Sequence, residues 1–142
     1  MWWAAALVLL VISLYKTRDE EPRKIVRTAI LSAFAFGLMQ ISVPVAGGIH
    51  LDFIALIGIL SGPYLGYLAA FTVNLFCILI GHGGVTTAGA NTILLGLFEA
   101  MFAYWIFRGS SKVLRSIAIR GGAATFISLI LSALAMVVML SI

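Results

Sequence analysis

Two histidines, His50 and His82, and two acids, Asp52 and Glu99, are the residues of this 142-residue chain best suited to chemistry, because each interrupts an apolar neighbourhood. A neutral imidazole is a good ligand for zinc, copper, iron and nickel. Both histidines lie in glycine-rich stretches, VPVAGGIH and GHGGVTTAGAN, where either could ligate a metal or simply hydrogen-bond within its loop. Two imidazoles do not complete an ordinary coordination shell, so further donors are needed: an N-terminal amine, backbone atoms, Asp52 or water.

An ionisable group placed in hydrocarbon is costly and by default faces a bundle interior. Asp52 fits a role near an outer site and fits equally a helix start, where a carboxylate satisfies free amides. Glu99 lies further from the loops and reads chiefly as a hydrogen-bonding group within the bundle. Three amides support the same neighbourhood. Asn74 stands inside an apolar segment, where an amide bonds across helices. Asn91 is either such a group or a helix cap, and Gln40 stands near the outer end of the second helix.

Positioning these groups is the task of a membrane-embedded framework. The chain is 63% hydrophobic and 10% charged, too little polar surface for a soluble globule. All nine Lys and Arg residues fall in two clusters, 16–27 and 108–120. Basic residues flanking apolar runs, with no aromatic interleaving, indicate juxtamembrane anchoring in lipid and argue against nucleic acid. The lone cysteine, Cys77, reads as a small core residue. No phosphate-binding loop, redox cysteine pair, or nucleophile with a positioned base is present, so the sequence does not describe an enzyme.

The expected fold is all-α: one integral membrane domain over 1–142, a bundle of about six transmembrane segments. The apolar runs are Trp2 to Tyr15, Ile25 to Val43, Leu51 to Leu60, Tyr64 to Ile80, Asn91 to Phe107 and Gly121 to Ile142. Pro22 suits a first helical turn. Pro44 with Gly47-Gly48, and Ser61-Gly62-Pro63, break the periodicity. With six crossings, both basic clusters and the 61–63 turn share one face, cytoplasmic by the positive-inside rule, and loops 44–50 and 81–90 share the other. Small residues spaced by four, such as Gly58, Gly62 and Gly66, signal close helix packing.

The stretches PVAGGIH, ILSGPYLGYLAA and LIGHGGVTTAGAN, in this order, resemble the CbiM/NikM family of cobalt and nickel transport proteins. The likeness covers nearly the whole chain and is most specific over 44–91. It implies a cell-membrane protein that captures Co²⁺ or Ni²⁺ as transported substrate, with no resident cofactor. It implies partners too: a membrane coupling subunit, cytoplasmic ATPase subunits and a small accessory membrane subunit. The family's loop histidine corresponds to His50. His82 occupies a motif position where a polar or charged side chain is expected, and Asn91 matches a motif asparagine.

Family members begin Met-His-Ile, and their first amine and histidine are metal ligands, whereas this chain begins Met1-Trp2-Trp3. Either an upstream start restores those ligands or this is a short homologue with a reduced set. A non-transporting membrane scaffold and a transporter of a small organic substrate are the alternative functions.

Overall fold

Three of the helices bury only small residues. Helix α1 (Trp2–Lys16) turns Ala6 and Ser13 inward, α2 (Pro22–Met39) turns in Thr28, Ser32 and Ala35, and α7 (Ile117–Leu140) turns in Ala124, Ser128 and Ser132. Large side chains on the same helices point outward, among them Val8, Val11, Ile30, Phe34, Phe126 and Leu134. This is the pattern expected when the surrounding medium is as apolar as leucine and helices associate through close backbone approach.

The computed structural model describes residues 2–43, 49–50, 52–81 and 84–141, with the side chains of 42–43 and 49–50 outside the description. Among the described residues the chain forms six helical rods and one two-residue ladder. After α1 and α2, strand β1 (Ser42–Val43) pairs antiparallel with β2 (Ile49–His50), so that Ser42 faces His50 in register. Next come α3 (Ile54–Ser61) and α4 (Pro63–Leu79). The fifth rod is continuous: α5 (Ala88–Ile93), a π-helical stretch (Leu94–Met101) and α6 (Phe102–Gly109), ending in a 3₁₀ turn at Ser110–Lys112. Helix α7 closes the chain.

Two stretches, Ala88–Lys112 and Ile117–Leu140, are long and apolar enough to cross a bilayer. Pro22 does open α2, as expected for a residue whose missing N–H is no loss in the first turn.

Several boundaries differ from the sequence reading. Helix α2 stops at Met39 rather than near Val43, because the chain turns into the β1–β2 hairpin. The third segment is an eight-residue helix, Ile54–Ser61, about 12 Å long at 1.5 Å per residue. Helix α5 begins at Ala88, three residues before Asn91. Helix α7 begins at Ile117, four residues before Gly121.

The π stretch is the centre of the bundle, packing on α3, α4 and α7. The core beside it is made of Ala35, Ile54, Ile57, Ala69, Val73, Cys77 and Ala100. Gly58 of α3 lies against the Ala100 backbone, where any Cβ would overlap the carbonyl. At the α3–α4 corner Gly62 adopts φ 91°, a conformation that glycine takes without steric cost.

The two ends of the bundle differ in kind. Thr28 Oγ1 donates to Ser61 Oγ at 2.8 Å and Lys24 lies beside Gly62, placing the α3–α4 corner next to the basic start of α2. Arg120 Nη2 donates to the Phe107 carbonyl at 2.9 Å while its guanidinium lies 4.3 Å from the Phe107 ring centroid, joining the α6 and α7 ends. At the opposite end, Gly89 at the start of α5 packs on the Trp3 backbone.

Candidate functional site

A polar cluster gathers where β2 leads into α3. Asp52 stands two residues after His50, and its Oδ1 accepts the Ile54 N–H at 2.7 Å, satisfying an otherwise free amide at the start of α3. The capping half of the expectation for Asp52 is therefore realised. The Asp52 carboxyl also acts electrostatically on both Glu99 and Cys77.

Glu99 projects from the π stretch and is buried at 6% exposure. Ser132 Oγ of α7 donates to Glu99 Oε1 at 2.9 Å. Among the described residues no donor reaches Oε2, and the Asp52 carboxyl is the charged group that acts on Glu99. The expected role of Glu99 as a hydrogen-bonding group of the bundle is met by Ser132, and the second carboxylate adds a feature that sequence reasoning missed. The π geometry is relevant, since such insertions in helices concentrate at functional positions.

Gln40 closes another side. Its Nε2 donates to the Phe36 carbonyl at 3.0 Å and stands 3.7 Å from Cys77 Sγ, so the last turn of α2 is tied to α4 close to Asp52. Cys77 is the small buried core residue expected, although its sulfur also borders the polar cluster.

Asn74 makes the cross-helix bonds foreseen for it: Nδ2 donates to the Ala88 carbonyl at 3.0 Å and to Thr92 Oγ1 at 2.8 Å. It thereby fixes the start of α5 against α4. Asn91 is not a cap. The helix begins at Ala88 with Thr87 as the preceding residue, and the Asn91 N–H already donates within the helix to the Thr87 carbonyl at 2.9 Å. Among the described residues the half-buried Asn91 side chain makes no hydrogen bond.

The histidines are described only in part. His50 is placed by its backbone in β2, and His82 lies outside the described residues, as do 44–48. Among the described residues no three of His, Cys, Asp and Glu converge as a metal-binding group. An apolar groove of about 550 Å³ lies elsewhere, between α2 and α4, lined by Ile25, Ala29, Phe36, Leu68, Thr72 and Phe76.

Ser132, Thr92 and Arg120 were not singled out from the sequence. The signal for Ser132 was present in the i, i+4 spacing of Ala124, Ser128 and Ser132, a small-residue stripe that marks the inward face of α7.

The family model for the cobalt uptake substrate-specific transmembrane region, CbiM, matches residues 1–142. The chain belongs to the CbiM family. The cobalt transport protein CbiM of Thermosipho melanesiensis is 33% identical over 125 residues, covering 84% of this chain and 53% of that protein. A putative fused nickel transport protein NikMN of Archaeoglobus fulgidus is 29% identical over 121 residues, covering 83% of this chain and 40% of that protein. The chain thus spans about half the length of the curated CbiM relatives it matches. A crystal structure of a transition metal transporter superposes with a TM-score of 0.83 at 26% identity, over 94% of this chain and 61% of the other. A truncated transition metal transporter gives 0.76 at 22% identity and shares the fold. As a CbiM member with two apolar membrane-length helices, the protein is a membrane protein.

Proposed function

We propose that this CbiM-family chain is the substrate-capturing membrane component of a cobalt or nickel uptake transporter, and that His50 is its principal described ligand position. The observation that carries the reading is the β1–β2 hairpin. It sets His50 two residues from Asp52, over a polar cluster, at the end of the bundle remote from the basic α2 start. A divalent ion loses water only where several nitrogen or oxygen donors replace it together. His50 and backbone atoms supply part of that set, His82 is the second imidazole, and Gln40, Asp52, Asn74, Asn91 and Glu99 support the surrounding structure.

The whole chain acts as one integral membrane domain. Both basic clusters face the cytoplasm by the positive-inside rule, and the 42–50 and 81–87 connections face outward. The energy comes from partner proteins: a coupling membrane subunit, cytoplasmic ATPase subunits and a small accessory membrane subunit. The CbiM relatives are transport proteins, which supports a non-enzymatic role.

Binding of Ni²⁺ and Co²⁺ to the purified chain, measured by titration calorimetry for wild type and His50→Ala, tests the reading. A loss of the tightest site in the variant is expected. Equal binding by both proteins, with both folded, overturns it.

A further inference from the structure

Glu99 presents a problem in charge that the histidine site does not solve. Glu99 is buried at 6% exposure, and among the described residues only its Oε1 has a donor, the Ser132 hydroxyl at 2.9 Å. Oε2 has none among the described residues. The group nearest in charge is a second acid, Asp52, whose Oδ1 is already engaged by the Ile54 amide. Among the described residues the single salt bridge is Lys24 with Glu20, in the basic segment before and at the start of α2. Among the described residues the two acids therefore have no cation of the protein's own.

Burying one uncompensated carboxylate in a bilayer is costly, and burying two facing each other is costlier still. The geometry is nonetheless built with care. A π stretch projects Glu99, α7 contributes Ser132 to hold one oxygen, and Gly58 on Ala100 brings α3 flush with the π stretch. We infer that Glu99 and Asp52 together form a second divalent-cation station, distinct from the imidazole site, in which each carboxylate gives one oxygen and water completes the shell. A doubly charged ion between two carboxylates makes a neutral unit, which a monovalent ion or a single proton does not. Oxygen donors suit a hard or borderline divalent ion. The station begins at Asp52, two residues along the chain from His50, where β2 leads into α3. This assignment rests on the proposed capture function.

The test uses the purified full chain in detergent with Co²⁺ alone as the probe, read by equilibrium dialysis and visible absorption. Glu99→Gln preserves shape and the Ser132 hydrogen bond, and thermal melting checks that it folds; Asp52→Asn is the second variant. One Co²⁺ equivalent lost in both variants and retained in His50→Ala supports the station. Unchanged stoichiometry and affinity in Glu99→Gln overturns it, since the pair then holds no metal ion. A wild-type equivalent lost in His50→Ala, alongside an unaffected Glu99→Gln, overturns the station and leaves the capture reading standing. No Co²⁺ bound by the wild type overturns both.

Discussion

Gly58 of α3 and Ala100 of the π stretch meet backbone to backbone, with no room for a side chain at position 58. That contact sets the distance between the two elements carrying Asp52 and Glu99. A methyl group there must push on main chain, which cannot swing aside as a flexible side chain can. Gly58→Ala is expected to cost about 1–3 kcal/mol, the range for overpacking a close-packed interior. Thermal unfolding in detergent checks it. Gly37→Ala, at a helical position with nothing near the added carbon, is expected to be neutral or slightly stabilising.

The Asn74 amide ties α4 to the start of α5 through two bonds. Asn74→Ala leaves the Ala88 carbonyl without that donor and is expected to lower stability by about 1–2 kcal/mol. A double-mutant cycle with Thr92→Val should give a coupling energy clearly above zero. Strict additivity would show that the two side chains act independently.

Arg120 bonds to Phe107 through both carbonyl and ring, whereas the partly exposed Lys24 and Glu20 pair between the first turn of α2 and the bend before it. Arg120→Gln is expected to loosen the α6–α7 junction by about 1–2 kcal/mol, combining a charge-assisted hydrogen bond and a cation–π contact. Lys24→Gln should shift stability by less than about 0.5 kcal/mol, because an exposed ion pair gains little over water. Side-by-side melting curves separate the two.

Val85 and Val113 are exposed residues in turns at opposite ends of the bundle. In a Cys77→Ala background, Val85→Cys is expected to react with a membrane-impermeant maleimide in intact cells. Val113→Cys should react only after the membrane is opened. The reverse labelling would invert the assigned orientation.

The framework was readable because hydrophobic runs and their breakers report on a bilayer directly. Pro22, the Ser61-Gly62-Pro63 corner and Cys77 in the core all sit where composition and local rules place them. Helix ends were less legible. Asn91 suited a cap as well as a cross-helix amide, yet α5 starts at Ala88, held by Asn74 from another helix. A tertiary bond thus decided a local boundary. Glu99 was recognisable as a buried acid, but its neighbours Asp52 and Ser132 are 47 and 33 positions away, and only the packing of three helices brings them together. The π stretch left no mark in the hydrophobic pattern, since its residues are apolar on nearly every side.

That stretch also acts as a gear change along the fifth rod. Each helical residue turns the axis by roughly 100°, so a wider turn rotates everything beyond it relative to an uninterrupted α-helix. The Ala88–Ile93 half is thereby phased to meet α1, and the Phe102–Gly109 half to meet α7. Removing one residue between Leu94 and Met101 would let the rod relax to plain α geometry with its hydrogen bonds intact, yet mesh it with only one of those two neighbours at a time.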